Sequence, residues 1–109
     1  MALVIKLLKT GVTNAGSLTV PYSVSSPTLG AIVSNLRFVN TGGSAVTVNL
    51  FFRPSGGNQV RILDLNKSVP IGISSTLVVS PELTMATGDA IEVTTSAAMD
   101  YVVSGMEKT

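Results

Sequence analysis

The chain has 109 residues, enough for one hydrophobic core and too short for two ordinary domains. Its 7 basic and 6 acidic side chains leave a formal charge of +1, so no strong field draws it to nucleic acid or an anionic membrane. With no His and no Cys, it lacks an imidazole base, a thiolate nucleophile, disulfides and the usual zinc ligands.

Bulk comes from Val, Ser and Thr, which suits strands with small polar outer faces. Residues 2–8 are apolar except for Lys6. The run is far shorter than the ~20 residues that cross a bilayer. A signal peptide would carry its charge ahead of the apolar stretch, not inside it. The first predicted element is therefore a strand over 2–9. Edge strands are normally blunted by charge or Pro. With one Lys inside it, this one is expected to pair with a neighbour or exchange between protomers.

A second strand is predicted over 17–24 and a third over 31–40. Period two places Ile32, Ser34, Leu36 and Phe38 on one face of the third, and Val33, Asn35, Arg37 and Val39 on the other. The four-residue loop Thr41-Gly42-Gly43-Ser44 predicts a hairpin back into 45–53. Pro54-Ser55-Gly56-Gly57-Asn58 is a turn that matches no phosphate loop. Strands follow over 60–65, 69–73 and 75–79. Residues 82–86 have room for at most one helical turn. Thr87-Gly88-Asp89 turns into a strand over 90–95, and a ninth strand covers 101–107. Short strands at this spacing, with no helical stripe, predict an all-β protein. The expected architecture is an antiparallel β-sandwich, jelly-roll or immunoglobulin-like, forming one domain over 1–109.

Catalytic chemistry finds little footing. The 25 Ser and Thr residues have no His to activate them. Lys67 and Ser68, adjacent in a strand, would point to opposite faces. Asp89 and Glu92 have opposite parity, and no sugar-stacking Trp accompanies them. Asp64-Leu65-Asn66 lacks a third acid for calcium. Arg37, Arg53 and Arg61 sit on successive predicted strands but lack interleaved aromatics. The expectation is no enzyme, no cofactor, no metal, and no small-molecule or nucleic-acid partner.

One feature stands above this background. Val33, Val39, Phe51 and Val102 fall on predicted outer faces, and the mean hydropathy is +0.50. Apolar residues on both faces of a sheet call for a second covering layer. A partner subunit is the economical cover. The expected contact residues are Leu3, Val4, Ile5, Leu7, Leu8, Val33, Phe51 and Val102.

The stretch from Ile32 to Phe52, with Asn40-Thr41-Gly42 ending one strand, resembles small β-sandwich structural proteins of tailed bacteriophages. So do Leu83 to Val93, with the Gly88-Asp89 turn, and the closing Tyr101-Val102-Val103-Ser104-Gly105-Met106-Glu107. The Asn-Thr-Gly pattern also looks like bacterial immunoglobulin-like adhesion modules, which usually occur as repeats in exported chains. The phage resemblance implies a virion structural protein, made in the host cytoplasm, that decorates or cements the head by passive contacts. Its partners would be itself, as a homo-oligomer with a trimer favoured, and a larger virion protein such as the major capsid protein. Alternatives are a tail, neck or baseplate protein, and a carbohydrate- or receptor-binding module. The last would need exposed aromatics, for which the chain offers Tyr22 and Tyr101.

Overall fold

A computed structural model of the chain describes residues 3–63, 65–72 and 75–108, apart from the side chains of Leu3 and Lys6. Asp64 and the end of the predicted 69–73 strand lie outside these residues. The described residues form ten strands and no α-helix. They are β1 (Leu3–Val12), β2 (Leu18–Ser23), β3 (Gly30–Val39), β4 (Val46–Arg53), β5 (Val60–Arg61), β6 (Lys67–Val69), β7 (Thr76–Val79), β8 (Leu83–Ala86), β9 (Ala90–Thr95) and β10 (Asp100–Lys108).

The pairings nest around the middle of the chain. β4 pairs with β5 and β6, β3 with β7 and β8, β2 with β9, and β1 with β10, all antiparallel. Successive nested pairs alternate between two sheets. The first sheet runs β1-β10-β3-β7, with β8 also on β3; the second runs β2-β9-β4-β5, with β6 also on β4. One long hairpin folded over itself in this way is a jelly roll. Of the two expected architectures, the pairing selects this one and not the immunoglobulin type.

The predicted hairpin between 31–40 and 45–53 does not form, because β3 and β4 belong to different sheets. The loop between them is a corner, and Asn40 fixes it. Its buried side-chain Nδ2 donates to Ser44 O at 2.9 Å and Val69 O at 3.1 Å, and its Oδ1 accepts from Gly42 N at 3.0 Å. Its backbone N donates to Ser75 O at 2.8 Å. One asparagine thus ties the start of β7 to the end of β6. Of residues 82–86, expected to make at most a helical turn, Leu83–Ala86 form strand β8, with Met85 buried against the core.

Inward-facing residues of both sheets form one core, whose largest fully buried members include Phe38, Leu36, Leu50, Met85 and Ile91. The exposed area of 5762 Å² is close to the roughly 5,700 Å² expected for a compact chain of this mass. Apolar surface left outside is therefore not a sign of loose packing. Where core polar groups occur they are partnered. Thr13 and Thr95 hydroxyls lie 2.7 Å apart, and Met99 N donates to Thr13 Oγ1 at 2.9 Å.

Two bulges flank the middle of β10. Leu8 is the extra residue on β1 opposite Leu7↔Ser104 and Lys9↔Val103, and Ser34 is the extra residue on β3 between Val33↔Gly105 and Asn35↔Ser104. The second bulge corrects the predicted faces of β3. Val33 is 0% exposed and sits in the core, while Ile32 turns outward. Strict alternation carried from Phe38 back through Ser34 puts them the other way round, because a bulge shifts side-chain parity by one residue.

Candidate interaction surface

The outer faces of the two sheets differ in kind. On the second sheet, Phe51 is half-buried beneath the Arg61 guanidinium, 4.9 Å from its ring centre. Arg61 Nη1 also donates to Asn49 Oδ1 at 2.8 Å. Next to this pair, Glu92 is buried on the outer side of β9 under the loop 54–59. Both its carboxylate oxygens accept from Arg53 Nε at 3.0 Å, and Gln59 Nε2 donates to Oε1 at 2.5 Å. Arg53 Nη1 reaches Gly57 O at 3.1 Å, so the arginine holds the loop down on the carboxylate. The middle of this face thus supplies its own cover, and exposed apolar residues remain on the edge strand β2 at Leu18 and Val20, each 43% exposed.

The outer face of the first sheet has no such cover among the described residues. Ile5 is 84% exposed and Leu7 57%. Register partners share a face. Ile5 therefore lies beside Met106, and Met106 beside Ile32. Further along, Val102 and Arg37 are neighbours, with the exposed Val78 on the other side of Arg37. Beside the two bulges lies a groove of about 510 Å³. It is lined by Ser34, Ser104 and Gly105 together with the apolar Ile5, Leu7 and Met106.

The structure brings together only some of the expected contact residues. Ile5, Leu7 and Val102 share this face. Val4 has the opposite parity, half exposed at the sheet edge, and Leu8 turns in to pack on the core. Only the backbone of Leu3 is described. Phe51 lies on the other sheet, and Val33 is interior. Ile32, Met106 and Val78 were not expected on the face. A bulge hid Ile32, and the alternation of 101–107, which puts Met106 with Val102, was a signal available for Met106.

Arg37, Arg53 and Arg61 do not form a basic patch. Arg37 is on the first sheet, Arg53 pairs with Glu92, and Arg61 covers Phe51. Among the described residues, no three His, Cys, Asp or Glu side chains are grouped to hold a metal. Tyr22 and Tyr101 are both 6% exposed. Tyr22 Oη donates to Glu107 Oε2 at 2.5 Å, and burial followed by that carboxylate hold its pKa well above the usual phenol range.

No family model matches the chain, and no curated protein sequence matches it. Its fold is similar to that of a chain of infectious bursal disease virus, Gx strain, with a TM-score of 0.52 and 14% identity over 97% of this chain and 32% of that one. A chain of the infectious bursal disease virus VP2 subviral particle aligns with a TM-score of 0.48 and 15% identity, over 97% of this chain and 31% of that one. This chain thus spans about a third of the length of the solved chains it matches. The Gx-strain likeness is one of fold alone and agrees with the two-sheet β-sandwich.

Proposed function

We propose that this chain is a structural component of a virus particle, specifically a decoration or cement protein of a tailed-bacteriophage head. It is made in the host cytoplasm and resides in the virion. It works passively, burying apolar sheet surface against further copies and against a larger shell protein. The observation that carries this is the apolar outer face of the first sheet, where Ile5 and Leu7 stand 84% and 57% exposed. The fold shared with a chain of infectious bursal disease virus supports it. The burial of both tyrosines weighs against a sugar platform and in favour of a structural part. A place in the tail, neck or baseplate would use the same surface.

Mass spectrometry and cryo-electron microscopy of particles from the source test the proposal. The expected result is this chain in many copies on the head lattice. Its absence from purified particles would overturn a virion role, and density confined to the tail would overturn the head assignment.

A further inference from the structure

Strand β10 runs through the first sheet with β1 on one side and β3 on the other. Its outward residues alternate cleanly as Asp100, Val102, Ser104, Met106 and Lys108, with the residues between them turned inward. This series is self-complementary about its middle. Reversed, it sets Lys108 against Asp100 and Met106 against Val102, with Ser104 on itself. The groove beside the two bulges lies at the same point, with Ser104 in its lining.

We infer that a second copy of this chain packs on this face, sheet against sheet, about a two-fold axis through Ser104 and perpendicular to β10. An in-plane axis of this kind lays β10 antiparallel over β10. Each Asp100 then faces the partner subunit's Lys108. A two-fold axis parallel to the strands would set Asp100 on Asp100 and Lys108 on Lys108, which like-charge repulsion disfavours. The same axis sets Leu7 against its own counterpart across the groove and Ile5 near Thr10. Arg37 spreads its aliphatic stem over Met106 and Ile32. The size fits. β1, β10 and β3 run nine or ten residues, and β7 and β8 share the fourth position on β3. At ~4.8 Å between strands the face spans roughly 19 by 30 Å, and side-chain relief brings this near the ~800 Å² per partner of a standard interface. On the second sheet Arg61 and the loop 54–59 cover the middle, and the exposed apolar residues Leu18 and Val20 are confined to the edge strand β2. The two-fold contact is independent of the particle role and of any three-fold arrangement.

Sedimentation and cross-linking of the full chain test it. Wild type is expected to dimerise at micromolar concentration. Ser104→Arg, which places like charges on the axis, should raise the dimer Kd by at least about tenfold. Asp100→Lys or Lys108→Asp alone should weaken the dimer, and the double swap should recover most of the loss. The chain has no Cys, so Ser104→Cys carries a single thiol. A short bismaleimide should join two Ser104→Cys chains, and should not join two Ser68→Cys chains, altered on the second sheet. A monomer at 100-fold higher concentration, with no cross-link at 104 beyond the 68 control, overturns the inference. So does cross-linking at 104 only to a shell protein. A monomer that is nevertheless found in particles rejects the dimer and leaves the virion role standing.

Discussion

Gly105 and Ile32 meet backbone to backbone: a Cβ on Gly105 would run into the Ile32 carbonyl oxygen. This contact lies at the β3 bulge that turns Val33 inward. Gly105→Ala must either move β3 or lose the bulge. The expected cost is about 3 kcal/mol or more, since the obstacle is backbone and cannot swing aside. The urea midpoint of Gly105→Ala against wild type measures it.

Asn40 holds the corner where the chain passes from one sheet to the other. Asn40→Ala strands the buried Val69 carbonyl and loses the part-buried bond to Ser44 O, at a cost of about 2–3 kcal/mol. Asn40→Asp should do no better, because it sets a carboxylate oxygen against the same carbonyls. Thermal unfolding should show both variants lower in Tm by about 10 °C or more.

Glu92 anchors the loop 54–59 through Arg53 and Gln59. Arg53 is 41% exposed, so solvent screens the pair and Glu92→Gln should cost only about 1–2 kcal/mol. The larger effect is local. Limited proteolysis should cut near Ser55–Asn58 faster in Glu92→Gln than in wild type, with the remainder of the domain protected.

The Tyr22 phenol is held protonated in the fold. Its pKa is raised above the unfolded value near 10, so its contribution is complete below pH ~10 and is lost as pH rises beyond that. Tyr22→Phe, which cannot ionise, should be less stable than wild type at pH 7 by about 1 kcal/mol, through the lost bond to Glu107. Urea midpoints at pH 7 and 11 should show that gap narrowing at the higher pH. A constant gap would contradict the assignment.

Much of the fold was legible where local pattern decides it. The alternation of Val46, Val48 and Leu50 gave β4 its inner face, and Gly88-Asp89 marked the turn into β9, with Gly88 at a φ of 99°. What failed was non-local. Thr41-Gly42-Gly43-Ser44 has the length of a hairpin loop, yet it serves a corner, because the sheet that β3 joins is set by β10 and β7. One extra residue at Ser34 reversed the faces of half of β3, and nothing in the residue types around Ser34 marks it. Leu83-Thr84-Met85-Ala86 is too short for period two to outweigh a helical turn. The contact face suffered from the same slip. Ile5, Leu7 and Val102 were legible as apolar residues on outer positions, whereas Ile32 changes places with Val33.

The nested pairing also sets an order of assembly for the molecule itself. The innermost pairs join residues close in the chain, such as Phe52 and Val60, whereas Leu3 pairs with Lys108. Loop-closure entropy favours the near pairs first, so the domain is expected to close from its centre outward. The β1–β10 ribbon is then expected to dock last, on a foundation already formed by β3. The surface that would greet another copy exists only once that final ribbon is seated, so a half-folded chain has nothing yet to offer its neighbours.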